Sequence, residues 1–194
     1  MQAFDPTTAL VVVDVQNDFA DPGGSLSVPG GDRIVAAVDD LVGRAEAAGA
    51  VIVYTQDWHP ESTPHFAKDG GIWPVHCVRG TWGAELHPDL TVRGPVVRKG
   101  TNGEDGYSGF SMRDLVTGDS IPTELDGLLR GRDVRRVVVC GLATDYCVKA
   151  TALDAVRLGY ETSVPVDAIA AVDLQPGDGE RAMTEMADAG VSRA

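Results

Sequence analysis

The chain has 194 residues, room for one domain with a proper core, and 29 acidic against 16 basic side chains leave it a formal charge of -13. That charge disfavours a nucleic-acid backbone or an anionic membrane surface as partner, and no apolar run is long enough to span a bilayer. Three cysteines at irregular spacing make no disulfide framework, and the first residues lack a secretory leader, so a soluble cytoplasmic protein with reduced thiols is expected.

Residues 9–13, Ala-Leu-Val-Val-Val, read as a strand buried on both faces, and Asp14 stands at its end. A carboxylate there is poorly solvated unless paired, and strand ends are where open α/β sheets place ligands, so Asp14 is a candidate acid–base group. A capping or loop aspartate is the plainer alternative. Turn-formers at 21–24 and 28–31 precede a helix capped by Asp32 and running to about residue 48, with Ile34, Val35, Val38, Leu41 and Val42 on one face. Gly49 ends it and residues 50–54 form the next strand. This β-loop-α-β order predicts a parallel pair and an α/β fold.

From Asp57 to about residue 94 periodicity fades, yet all four histidines and all three tryptophans lie there. A long insertion rich in aromatics is functional rather than disordered. Asp57 and His59, two apart in extended chain, share a face, and His65 and His76 could return to the same point. One carboxylate with two or three imidazoles suits a borderline divalent metal, although four scattered histidines are also what a chain of this size carries anyway. His87, before Pro88, reads as a bystander.

Residues 95–99 form a third strand ending in Lys99, which matters only if it shares a site with Asp14 and Cys147. The glycine-rich loop 100–110 could cover such a site. A short helix lies within 120–131, and residues 136–140 form a fourth buried strand. A tight turn then leads into a helix, with Thr144 as N-cap and Cys147 in the first turn, where the helix dipole favours a thiolate. On this window alone, Cys147 reads at least as well as core packing. A fifth strand is predicted at 163–167, irregular at Pro165, then a helix from 178 or 179 to about 188 and a short sixth strand from Val191. Cys140 reads as inert packing and Cys77 as structural. Nothing divides the chain, which reads as one domain over 1–194, with 57–94 as its metal and substrate loop region.

Taken together and in order, several pieces carry a resemblance: residues 13–19 (Val-Asp-Val-Gln-Asn-Asp-Phe), Asp57-Trp58-His59, residues 73–78 (Trp-Pro-Val-His-Cys-Val) and 80–84 (Gly-Thr-Trp-Gly-Ala), Lys99-Gly100, Tyr107-Ser108-Gly109-Phe110, and the run 141–148 (Gly-Leu-Ala-Thr-Asp-Tyr-Cys-Val). The chain resembles the isochorismatase-like cysteine hydrolases, and within them the nicotinamidase (pyrazinamidase) branch. The resemblance implies a three-layer α/β/α fold around a mainly parallel sheet. It implies Asp14, Lys99 and Cys147 as a catalytic triad, with the N–H groups of Ala143 and Cys147 as an oxyanion hole beside a cis peptide at Leu142–Ala143. It implies Asp57, His59 and His76 as ligands of one divalent metal ion, zinc first, with iron or manganese as alternatives. His65 is less settled, because relatives differ there. Phe19, Trp73 and Tyr107 would line a flat pocket for a small aromatic amide, and Tyr146 stands where some relatives have histidine. The implied reaction is hydrolysis of nicotinamide, and also of pyrazinamide, through a cysteine thioester formed by a thiolate that exists before substrate arrives. The alternatives are a sibling enzyme acting on another small amide or carbamoyl compound, and a metal-hydroxide hydrolase in which Cys147 is structural. An isochorismatase proper fits less well, since the nucleophilic cysteine and the metal-type residues are both present. Open α/β domains with exposed helices often dimerise, so a homo-oligomer is a further expectation.

Overall fold

The computed structural model describes residues 4–194. The β-branched run β1 (Thr8–Val13) is buried along its whole length and forms the centre of the molecule. After a single turn of helix, α1 (Asn17–Ala20), comes α2 (Gly31–Ala47), then β2 (Val51–Asp57) and, beyond the long connection, β3 (Val96–Lys99). A hairpin, β4 (Ser111–Arg113) and β5 (Ser120–Pro122), precedes α3 (Leu125–Arg130) and β6 (Arg136–Leu142). The rest is α4 (Lys149–Arg157), β7 (Glu161–Val164), β8 (Ile169–Ala170), α5 (Asp178–Asp188) and β9 (Ser192–Arg193).

The main sheet runs β3-β2-β1-β6-β7-β9, every neighbouring pair parallel, with β8 extending the sheet beside the end of β6. Because side chains alternate along a strand, β1 feeds two separate cores. Leu10 and Val12 pack under Ile34, Val35, Val38 and Leu41 of α2, whereas Ala9, Val11 and Val13 pack with Ala152 and Ala155 of α4, Met186 of α5 and Leu125 and Leu129 of α3. Helices cover both faces, giving the three-layer α/β/α architecture expected. None of these helices is long and apolar enough to cross a membrane, among the described residues.

Local details differ from expectation at several points. Asp32 does not cap α2: the N-cap is Gly30 in the left-handed region, and Asp32 sits in the first turn, where its charge still favours the helix N-terminus. Thr144 is not a helix cap either. Residues Thr144–Val148 form a π-helical turn, with Val148 N–H donating to Ala143 O at 3.0 Å, so Thr144 is inside the turn and Ala143 precedes it. The fifth main strand stops at Val164, one residue before Pro165, which lacks the N–H a ladder needs. The hairpin β4–β5 was invisible to periodicity because its strands are three residues long and face solvent.

Gly141 fixes where β6 can pass. Its φ is +110°, and a Cβ there would lie 2.1 Å from the carbonyl oxygen of Val13, its partner on β1. Flanked by β1 on one side and β8 on the other, the backbone there cannot retreat from that contact. Gly141→Ala should therefore lose about 3 kcal/mol or more of stability, read as a fall in the denaturant midpoint at unchanged m-value.

Candidate active site

The carboxyl ends of four adjacent strands deliver the chemistry. Asp57 and Lys99 are the last residues of β2 and β3, Asp14 lies one residue beyond β1, and Cys147 lies in the π turn that follows β6. The chain leaves β1 sharply, with Asp14 at φ +48°, which turns its carboxylate across the strand ends. Thr55 donates its hydroxyl to Asp14 Oδ1 at 2.6 Å. Asp14 Oδ2 lies 2.8 Å from Lys99 Nζ, a charge contact whose angle leaves that oxygen without a hydrogen bond and open to a proton. Lys99 also donates to Asp57 Oδ1 and to Cys147 Sγ, the latter at 3.7 Å. Asp14, Asp57 and Cys147 each bring an atom to within 4.8 Å of the other two, and Lys99 is only 1% exposed. A sulfur, two carboxyls and one ammonium thus meet in a single buried crevice.

Burial dominates the proton affinities here. It disfavours the charged lysine, but the Asp14 and Asp57 carboxylates outweigh it and hold Lys99 well above its ordinary value. Burial pushes the Asp14 carboxyl up despite Lys99, which makes Asp14 a stronger base than an exposed aspartate. At Asp57 burial is overcome by Lys99 and by the neighbouring histidines His59 and His76, so this carboxyl lies well below the usual range. Burial also pushes the Cys147 thiol well above its ordinary value, although Lys99 opposes it. Desolvation and the two carboxylates thus work against a thiolate at Cys147, and the Lys99 ammonium works for one.

Three imidazoles lie on the far side of Asp57. Ligand atoms of His59, His65 and His76 all fall within 4.8 Å of one another. His76 places Nδ1 2.7 Å from the carbonyl oxygen of Pro74, which assigns the proton to Nδ1 and leaves Nε2 as the free donor atom. His65 Nδ1 is 3.0 Å from Asp105 Oδ1, with the same consequence for its Nε2. Both ring nitrogens of His59 are buried without a hydrogen-bond partner. A buried imidazole so placed is costly unless something satisfies it. Burial draws His76 down to about 4, so its ring is neutral, the form a metal takes. The donor set, its geometry and its orphaned nitrogens fit a divalent cation. Asp57 stands between the two groups: Oδ1 faces Lys99, and Oδ2 lies 3.7 Å from His59 Nε2. His65, the least settled of the predicted set, belongs with the other two imidazoles, whereas His87 lies outside the group and accepts the Asp89 N–H at 3.3 Å.

Cys147, Asp57, His65 and His76 open onto one pocket, whose walls include Phe19, Trp73, Tyr107, Ala143 and Tyr146. Trp73 donates its indole N–H to the Tyr107 hydroxyl at 3.1 Å, and the Tyr146 ring packs edge-on against Trp73 at 4.9 Å and tilted against Tyr107 at 5.2 Å. Phe19 leans on His76 with ring centroids 5.4 Å apart. The peptide Leu142–Ala143 is cis, as expected. Cys77 and Cys140 are buried free thiols, both raised by burial, and neither faces this pocket.

A family model described as the isochorismatase domain matches residues 8–192. The chain belongs to the isochorismatase family. Within that family it is similar to the nicotinamidase of Escherichia coli K12, 39% identical over 205 residues that cover 96% of this chain and 94% of the relative. Among solved structures it is similar to the pyrazinamidase of Pyrococcus horikoshii in complex with zinc, 44% identical with a TM-score of 0.86, covering 97% of this chain and 99% of that one. It is likewise similar to PnC1 from L. infantum in complex with nicotinate, 37% identical with a TM-score of 0.90, covering 100% of this chain and 95% of that one.

In this isochorismatase-family site several supporting residues escaped sequence reasoning. Gln16 is fully buried and acts as a clip: its Oε1 accepts the Asp57 N–H at 2.8 Å, while Nε2 donates to the Asp57 and Ala84 carbonyls at 2.8 and 2.9 Å. It fixes the backbone from which the Asp57 carboxylate projects. Asp18 accepts the N–H groups of Ser25 and Cys77, at 3.0 and 2.7 Å, tying the loop after α1 to the segment that carries His76. Asp145 accepts the N–H groups of Val172 and Asp173, at 3.0 and 2.9 Å, and so holds Val172 against the pocket. In the sequence they stand only as members of the runs 13–19 and 141–148; most of their partners lie tens of residues away, and no local pattern announces them.

Proposed function

We propose that the protein hydrolyses nicotinamide to nicotinate and ammonia through a thioester on Cys147, and acts on pyrazinamide in the same way. The observation that supports this most is the contact of Cys147 with Lys99 and Asp14 at the floor of an aromatic-walled pocket, with three imidazoles at one side. A thiol with raised proton affinity needs a base of raised proton affinity, and the two shifts at Cys147 and Asp14 run together. Asp14 accepts the thiol proton as Sγ attacks the carboxamide carbon, and Lys99 offsets the charge that builds on the sulfur. The N–H groups of Ala143 and Cys147 receive the developing oxyanion; one such donor is worth about 2.7–4 kcal/mol where it has been removed. The C–N bond then breaks, with Asp14 returning its proton to the departing ammonia. Water attacks the thioester, Asp14 takes up its proton, and Cys147 leaves as the thiol when that proton is passed back.

His59, His65 and His76, with Asp57, would hold one divalent ion, and zinc suits this nitrogen and carboxylate set best. When bound, it supplies a Lewis-acid anchor for a ring nitrogen. The pyrazinamidase of P. horikoshii holds zinc, and PnC1 of L. infantum holds nicotinate, the acid this reaction releases. Phe19, Trp73, Tyr107 and Tyr146 clamp a flat ring, and clamp plus anchor fix the amide over Cys147.

The direct test is ammonia release from nicotinamide by the purified protein before and after chelation. Release that a chelator abolishes and Zn²⁺ restores is the expected result. Full activity of the metal-free protein would remove the ring anchor and leave the thiol chemistry standing; no release at all would reject the substrate. A finer test addresses the clamp. Tyr107→Phe strips the buried Trp73 indole of its acceptor, worth about 1 kcal/mol. It should raise KM for nicotinamide about fivefold with little change in kcat, since the ring is held and not transformed there.

A further inference from the structure

Asp105 has no role in the chemistry above, yet it is saturated with directed contacts. Its Oδ1 lies 3.0 Å from His65 Nδ1 and accepts the Gly106 N–H at 2.9 Å, while Oδ2 accepts from Arg113 Nη2 at 2.7 Å. Its backbone pairs with Arg113 in both directions, at 3.1 and 2.6 Å, which fastens the glycine-rich loop to the first strand of the hairpin. The carboxylate is thus held by groups that do not themselves touch the imidazoles. His65 needs such a guide. Its ring stacks on His59 at 5.1 Å and leans on Tyr107 at 5.9 Å, contacts that tolerate a ring turned by half a revolution. Only a partner at one nitrogen decides which nitrogen faces His59 and His76.

We propose that Asp105 is the positioning residue of the three-histidine site: by accepting the proton of His65 Nδ1 it holds the ring in one tautomer and one orientation, with Nε2 toward a divalent cation shared with His59 and His76. This rests on the metal reading above. A carboxylate behind a ligating imidazole also raises its basicity, and loss of such a partner elsewhere costs about 10–100-fold in metal affinity. The hairpin thereby becomes part of the site's support, although its exposed end, with Val116 94% exposed, lies away from the pocket.

The test uses Co²⁺ titrated into the metal-stripped full chain, followed by its visible ligand-field bands. Asp105→Ala should weaken Co²⁺ binding about 10–100-fold and change the bands. Asp105→Asn keeps an acceptor for His65 Nδ1 and for Gly106 but loses the charge pair with Arg113, and should bind within a few-fold of wild type with wild-type bands. If the carboxylate served only to pair Arg113, the two variants would fall together, and that result overturns the proposal. So does wild-type affinity in Asp105→Ala. Should the alanine variant not fold, the imidazole ¹⁵N spectrum of the metal-stripped wild type decides: His65 protonated at Nδ1 is expected, and protonation at Nε2 overturns the assignment. A wild-type protein that binds no Co²⁺ would instead bring down the metal reading beneath it.

Discussion

Alanine at position 147 is expected to lower kcat/KM for nicotinamide by about 10⁴-fold or more, because the atom that forms the covalent bond is gone and the remaining groups only bind and polarise. The fold should survive the change. Cys147 is small and packs at the edge of the second core, so its loss leaves a cavity of one sulfur atom, costing about 1 kcal/mol. The measurement is ammonia release by variant and wild type at matched metal content, with circular dichroism as the control for folding. This experiment also separates two chemistries that use the same pocket. In a metal-hydroxide hydrolase the sulfur is a bystander, and the variant would keep most of its rate. Mass spectrometry adds a second readout: wild type quenched during turnover should carry an acyl group on Cys147, and the variant none.

Lys99→Met should cost more in stability than any other single change at the site. Among the described residues the ammonium is the one cation touching both Asp14 and Asp57, and methionine replaces it with a group of similar shape and no charge. Removing one partner from a buried ionic cluster costs about 3–5 kcal/mol, since the charges left behind are neither solvated nor paired. The sign of the pH dependence follows. Burial already raises the Asp14 carboxyl, and removing Lys99 takes away the charge that opposes it, so its folded-state proton affinity lies above the unfolded value. The folded state then binds more protons than the unfolded one, so stability falls as pH rises from the ordinary carboxylate range and recovers as pH is lowered toward it. Urea midpoints for the variant should therefore be higher at pH 5 than at pH 7.5. A variant no less stable than wild type at pH 7.5 would mean that the cluster is neutralised by other means. Activity should be lost together with stability, because Asp14 unpaired holds its proton and cannot serve as the base.

Much of this architecture could be read from residues in order. The unbroken apolar runs of β1, β2 and β6 and the helical spacing of α2 and α5 report burial directly, and burial is what the main sheet is made of. The strand-end positions of Asp14, Lys99 and Cys147 were legible for the same reason: each follows an apolar run that had to be a strand. What could not be read was set by contacts between distant segments. No pattern in 57–94 says that His65 and His76 return to His59, because that convergence rests on clips such as Gln16 and Asp18, whose partners lie up to 68 residues away. The burial of Cys147 is a related case: its place after a strand suggested a helix dipole favouring the thiolate, whereas the depth of the crevice, which opposes it, is contained in no local window. The hairpin at 111–122 was missed because its strands are too short and too wet to leave a periodic trace.

The lateral order β3-β2-β1-β6 has a kinetic consequence. Lys99, Asp57, Asp14 and Cys147 ride on four neighbouring strands whose pairings join residues up to 128 positions apart, as Thr8 and Arg136 are in register. Closing loops of that size comes late in a folding reaction, and no subset of these strands holds the full reacting set. During refolding, helical signal should return first and turnover last, with no partially active species between them. Regained ammonia release would then serve as a clock for completion of the whole sheet.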